Sequence, residues 1–371
     1  MLDMRERYNI SPAVLIPNND DNGGELADKC RENNIQFFIA KFGWWVGGQP
    51  RKSFTRTIKQ AVKYYPRKIR NYFRLSRLMQ RLTASKFDLI HTNSSVIEYG
   101  DIIAQKLKLP HLWHLREYGI DDYGLHYIKP YSYVRETYSR ANAIIAISKS
   151  LYDSYVNERK LCSPDNTRII YNGIRVPDSY EKKYLYDDRV NFCIVGGIGK
   201  GKNQIMAINA CIKLKSLTDK FMLNIIGSCN EQYLNELQEI IRTNDLDNYV
   251  KFWGRQDYEN VNQILRNMDV GLMPSRREAF GRVTVEYMLN YMPVIGVNTG
   301  ATPEIIDNES GFICELDDSG KLADLMQKFI TNPELLAKMC SKACERSIKN
   351  FSLEHNTDEI YKLYQEILTR K

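Results

Sequence analysis

Short apolar runs recur along the chain, separated by stretches whose apolar positions fall at helical spacing. Ala13 to Pro17 reads as a strand, Gly24 to Asn33 as a helix and Ile35 to Ala40 as a second strand. Phe87 to His91, Pro110 to His114, Ala143 to Ile147 and Thr167 to Gly173 continue the series, with a helix after Thr92-Asn-Ser-Ser95. The polar, irregular stretch Arg175 to Asp188 interrupts it. Val190 to Val195, Phe221 to Ile226, Val250 to Trp253, Val270 to Met273, Val294 to Val297 and Gly311 to Cys314 then form a second series. A last helix, Leu353 to Leu368, carries an apolar face of Ile360, Leu363, Tyr364 and Ile367. Strands alternating with helices predict parallel, doubly wound sheets. The expected architecture is therefore α/β with two Rossmann-like domains: residues 1–175, a linker at 176–188, residues 189–350, and a terminal segment 351–371 crossing back to the first domain.

A length of 371 residues with 43% apolar content suits two domains with sizeable cores. No run approaches the roughly 18 apolar residues of a membrane span, and the N-terminus carries no signal-peptide pattern. The eight cysteines form no Cys-x-x-Cys pair, and the five histidines show no metal-ligand spacing, so neither a zinc site nor a disulfide framework is expected. Cys340 and Cys344, one helical turn apart, read as packing residues. Free thiols point to a reducing cytoplasm.

The net charge of +7 is unevenly placed. From Arg51 to Lys86 the chain has many lysines and arginines and no acidic residue, with Tyr64, Tyr65, Tyr72, Phe73, Leu75, Leu78 and Leu82 interleaved. That is an amphipathic basic helix or helix pair split at Pro66. It suits an anionic membrane surface, and no nucleic-acid-binding module accompanies it. The segment 51–86 is thus expected to hold the protein peripherally on the inner, cytoplasmic face of a membrane, with no nucleic acid as partner.

Chemistry concentrates in two loops. The apolar run Asp269 to Pro274 is followed by Ser275-Arg-Arg-Glu-Ala-Phe-Gly281, and Arg282 to Met292 then has helical spacing up to Pro293. This is a strand-to-helix turn of the kind that collects ligands at the carboxyl ends of parallel strands. Its helix offers free N–H groups to an anion, and Gly281 permits close approach. Glu278 and Glu286 are its carboxylates; the plainer reading pairs them with Arg276, Arg277 and Arg282 on a solvated turn. The second loop, Gly196-Gly-Ile-Gly-Lys-Gly-Lys-Asn-Gln204, follows a strand and opens a helix, as a phosphate cradle does. Gly196, Gly201 and Lys202 fit most of a Walker A loop, but Asn203 stands where a magnesium-binding Ser or Thr belongs and no acidic Walker B strand follows. The dinucleotide-binding glycine spacing also fails. What remains is a generic phosphate loop with Lys200 and Lys202 at hand. Asp245-Leu-Asp247 reads as a turn rather than a metal site.

Asp88 to Thr92, Ile144 to Ser148, Ile169 to Ile174, and Ser275 to Glu286 with Pro293 to Gly296 and Glu304 to Ile306 together resemble, in order, the retaining glycosyltransferases of family four. The resemblance spans most of the chain. It implies the two-domain GT-B fold, with two Rossmann-like domains facing across a cleft, and transfer of a sugar from a nucleotide-diphosphate sugar to a glycan or lipid-linked acceptor without cofactor or metal. It places Glu278 beside the donor sugar, Phe280, Gly281, Arg282 and Val283 on the diphosphate, Glu286 on the ribose, Lys202 on the leaving phosphates, and His114 facing the donor from the first domain. Gly196, Gly197, Lys200, Asn203, Gly227, Arg255, Thr284, Arg116 and Glu117 complete the candidate substrate-binding set. Two features depart from the family: Gly196-Gly197 stands where Gly-Arg is common, and the first strand of the N-terminal domain, with its glycine loop, is missing. A non-catalytic scaffold or binding subunit of the same fold, and a nucleotide-sugar epimerase, are the alternatives.

Overall fold

The structure, a computed structural model, describes residues 1–17, 23–48, 78–177 and 189–369. Of the basic run 51–86, residues 51–77 lie outside the described residues, as does most of the polar stretch before Arg189. Residues 78–84 are helical and bury Leu78 and Leu82. Among the described residues no helix is long and apolar enough to cross a membrane. The chain divides into two compact units, one of Met1–Ile170 with Thr357–Lys371, the other of Tyr171–Asn356.

In the first unit, β1 (Ala13–Pro17) pairs in parallel with β2 (Gln36–Ala40). A short β3 (Val46–Gly48) precedes β4 (Ile90–Thr92), β5 (His111–Leu115), β6 (Leu125–Tyr127), β7 (Ala143–Ala146) and β8 (Thr167–Ile169). β4, β5, β7 and β8 form a separate parallel sheet in that order. Residues Leu2–Tyr8 are helical, and β1 and β2 pair apart from the sheet of β4, β5, β7 and β8. All five residues of β5 are buried, as a parallel strand covered on both faces requires. The final helix, Leu353–Thr369, lays Ile360, Leu363 and Ile367 onto Leu112, Ala143, Ile145 and Ile170. Full burial of such side chains contributes roughly 1.5–3 kcal/mol each.

β3 and β6 form an antiparallel pair that the hydrophobic pattern did not announce. It rests on Trp45, which is fully buried, stacks on Trp113 at 5.6 Å and donates from its indole nitrogen to the Ser95 carbonyl at 2.7 Å.

The second unit is one parallel sheet of β9 (Val190–Val195), β10 (Phe221–Ile226), β11 (Val250–Gly254), β12 (Val270–Met273), β13 (Val294–Val297) and β14 (Gly311–Cys314), in the order β11-β10-β9-β12-β13-β14. From β9 the chain winds one way and from β12 the other, so the switch of direction lies between these two strands. Their pairing is short, Phe192 with Val270 and Cys193 with Gly271. Beyond it the strands part. Val195 N–H, left without a strand partner on that side, donates to the Tyr287 hydroxyl at 2.6 Å. Tyr287 comes from the helix Arg282–Leu289, and its ring lies so close to Gly271 that a Cβ there would stand 2.2 Å from it.

Candidate active site

The loops leaving β9, β12 and β13 meet over the switch point, where parallel sheets bind ligands. Main-chain bonds tie them together. Arg276 N–H donates to the Gly201 carbonyl at 2.9 Å, and Ala301 N–H donates to the Glu278 carbonyl at 2.9 Å. The Thr299 hydroxyl donates to the Ser275 carbonyl at 3.0 Å. Gly300, at φ 55°, lies under Glu278 so closely that a Cβ would stand 2.4 Å from its carbonyl oxygen.

Within this frame Lys202 Nζ and Glu278 Oε1 meet at 2.5 Å. Glu278 is the more enclosed, its side chain 15% exposed against 37% for Lys202. The phosphate loop folds because Gly196 adopts φ 146° and Gly227 φ 155°; a Cβ on Gly227 would stand 1.9 Å from the Gly196 carbonyl oxygen. Lys200 and Gly197 are exposed at its rim, and the space where a side chain at 197 would begin is open. Gly281, at φ 82°, starts the helix Arg282–Leu289, whose first turn carries no side-chain cap. That leaves its N–H groups for an anion. Arg282 is exposed, and its guanidinium reaches Glu286 at 3.4 Å; burial raises the Glu286 carboxyl above its ordinary pKa while Arg282 opposes that shift. Val283 is half-buried beside it. Arg255 is exposed after β11, at the sheet edge two strands from β9.

Three members of the expected donor set do not offer their side chains to a ligand. Asn203 is fully buried and donates to Asp317 at 3.0 Å. Thr284 is fully buried, and its hydroxyl lies without a partner. The Phe280 ring packs on Tyr171 and Phe351, anchoring the loop from beneath. The hydrophobic pattern did not disclose Asp317. It takes a two-pronged ion pair from Arg276, both contacts at 2.9 Å, and Arg276 and then Asn203 hold its carboxyl below the usual range. Arg276 and Asn203 are thereby fixed to the start of the phosphate-loop helix.

In the first unit, the loops after β4 and β5 also meet. Glu117 Oε1 accepts from the Ser94 hydroxyl at 2.7 Å, the Ser95 N–H at 2.7 Å and the Ser95 hydroxyl at 2.9 Å. Its carboxylate therefore braces a loop. Arg116 donates from Nε to Asn93 at 2.7 Å. His114 is fully buried on β5, and its Nδ1 lies 3.2 Å from His91 Nε2. Burial first, then Arg116 and His91, push its pKa well below the usual value, so the imidazole is neutral at physiological pH. Among the described residues no cluster of three or more His, Cys, Asp or Glu side chains could hold a metal.

Comparison with known proteins supplies a second, independent line. The family model described as glycosyl transferases group 1 matches residues 177–346, and that of glycosyltransferase family 4 matches residues 25–176. An uncharacterized glycosyltransferase of Methanocaldococcus jannaschii is 28% identical over 286 residues, 76% of each chain. The capsular polysaccharide biosynthesis glycosyltransferase CapM of Staphylococcus aureus is 27% identical over 242 residues, 62% of each chain. The Anabaena protein HepE, solved in complex with UDP, shares the fold at a TM-score of 0.76 and 18% identity, over 98% of this chain and 94% of that one.

Proposed function

The chain is a glycosyltransferase of family four with the GT-B fold, and from that premise we propose that it moves a sugar, with retention and without a metal, from a nucleoside-diphosphate sugar to a glycan or lipid-linked acceptor in cell-surface polysaccharide synthesis. The UDP bound to HepE and the capsular role of CapM support this reading of donor and setting. The observation that carries the reading is the Lys202–Glu278 pair at the switch point, beside an uncapped helix start.

Cleaving a sugar–phosphate bond builds positive charge on the sugar and negative charge on the departing diphosphate. Free N–H groups at Arg282 and Val283, together with Lys202, are suited to the second charge, and a preorganised site of this kind needs no proton transfer to act. Glu278, paired with Lys202, would orient the sugar once the ammonium turns to phosphate. Glu286 has two acceptor oxygens for the ribose hydroxyls. The departing phosphate takes the acceptor's proton on the face it has just left, which gives retention.

The test is nucleoside-diphosphate release from a panel of nucleotide sugars, with and without acceptor. Glu278→Gln is expected to lower turnover by about two orders of magnitude with the circular dichroism spectrum unchanged. Undiminished turnover in that variant would sink the assignment, and an altered sugar nucleotide formed from donor alone would favour an epimerase.

A further inference from the structure

The turn after β14 reaches the phosphate loop and the glutamate loop at once. Asp317 accepts from both terminal nitrogens of Arg276 at 2.9 Å and from the Asn203 amide at 3.0 Å, and the Arg276 guanidinium lies 3.5 Å from the Asn203 side-chain oxygen. The three side chains thus close a ring, and it lies wholly within the second unit. Asn203 follows Lys202 directly, and Arg276 stands two residues before Glu278. The ring therefore joins the chain neighbours of the two residues that meet at 2.5 Å.

The phosphate loop depends on such ties for its shape. Gly197, Gly199 and Gly201 have nothing within 4 Å of where a side chain would begin, so packing does little to hold them. The first half of the loop is bonded to the loop after β10, with Ile198 N–H donating to the Ser228 carbonyl at 2.8 Å. The second half is bonded at the Gly201 carbonyl, to Arg276 N–H, and at the Asn203 side chain. Asn203 and Asp317 both sit in the left-handed region, at φ 56° and 65°. Glycine would hold either turn with less strain and would lose the ring. Strain at two positions bonded to each other beside a site points to a part in that site's work. Exposure points the same way: the side chains of Arg276 and Asp317 are 46% and 53% exposed, and ion pairs this open to water contribute little to folding.

We infer that Asp317 is a positioning residue, which acts through Asn203 and Arg276 to set how far Lys202 stands from Glu278. The inference rests on the reading above, in which Lys202 meets the departing diphosphate and Glu278 the sugar. Without the carboxylate, the two loops would keep the main-chain bond from Arg276 to Gly201 and would lose the bonds that fix the Asn203 amide and the Arg276 guanidinium.

Asp317→Gly removes the carboxylate at a φ that glycine adopts freely. In the intact chain without ligand, hydrogen–deuterium exchange should quicken in a peptide covering residues 199–206, where Lys202 N–H and Asn203 N–H donate to the Gly199 carbonyl at 3.0 and 3.2 Å. The thermal midpoint should stay within about 3 °C of the unaltered value. On the sugar nucleotide identified by the panel above, kcat should fall roughly tenfold, with the smaller part of the effect in KM. Asn203→Gly should reproduce both changes, and the double variant should be no slower than the slower single one, because each substitution opens the same ring. Unchanged exchange in both single variants overturns the inference. Quickened exchange with undiminished kcat, beside a slowed Glu278→Gln, overturns the positioning role and leaves the proposed function standing. Undiminished turnover in Glu278→Gln as well overturns the two together. Losses that multiply in the double variant overturn the ring as a single device.

Discussion

Glu286 is half-buried one helical turn from Arg282, and burial outweighs that cation in setting its pKa. A carboxyl raised above its ordinary 4.5 binds a proton in the folded protein where a free one would be ionised. On the proposed reading Glu286 takes the ribose hydroxyls, and the ionised form, with both oxygens free as acceptors, takes them better than the protonated one. Nucleoside-diphosphate affinity should therefore weaken as pH falls from neutral toward the raised pKa, in a window beginning above 4.5. Calorimetric titration at several pH values measures this, and Glu286→Gln should bind more weakly with a flatter pH profile. Glu278, Glu286 and Lys202 could all be singled out as candidates in the sequence, because a carboxylate beside a glycine turn and a lysine in a glycine loop are local patterns. Their pairing was not. Lys202 and Glu278 are 76 positions apart, and Asn203 and Asp317 are 114 apart. Nothing near Asn203 or Thr284 marks them as buried, since a polar residue at a helix start faces solvent or core according to what the rest of the fold lays over it.

At the scale of elements, the contact between β12 and the helix Arg282–Leu289 holds the site open. Tyr287 fills the space above Gly271 and satisfies Val195 N–H where β9 and β12 part. Tyr287→Phe keeps the ring and strands that N–H, which should cost about 1–3 kcal/mol. Urea unfolding would register it as a lower midpoint with an unchanged slope, and a loss well below 1 kcal/mol would show that water reaches Val195. Most strands were readable to within a residue or two, since buried parallel strands are continuous apolar runs: the expected Val190 to Val195, Phe221 to Ile226 and Val294 to Val297 match β9, β10 and β13. β3 and β6 escaped because each is three residues long and the first is Val46-Gly-Gly48. Their pairing comes from a buried tryptophan rather than from alternation. The helix expected to run to Met292 stops at Leu289, because Tyr291 turns to φ 56° ahead of Pro293.

For the molecule as a whole, the histidines are unevenly shared. His111 and His114 lie buried and His91 half-buried in the first unit, whereas the second contains His355 alone. Burial is the leading cause that lowers all three, His91 to about 3 and His111 to about 4. Below the ordinary value of 6.5 the unfolded chain takes up protons that the folded unit refuses. Stability of the first unit should thus decline between pH 6.5 and about 4, with little change from these groups above 6.5. Calorimetric scans at pH 7.5 and 5.5 should show one transition moving to lower temperature more than the other. Equal shifts would count against the histidines as the cause.

Two of the bonds that hold the three site loops together, from Arg276 to Gly201 and from Ala301 to Glu278, run main chain to main chain. Such bonds are indifferent to which side chains the loops carry. Substitutions at the exposed Gly197 and Lys200 leave these bonds intact, so on the proposed reading a lineage can alter the rim around the donor without moving Glu278. The frame is inherited, and donor choice is left free to evolve.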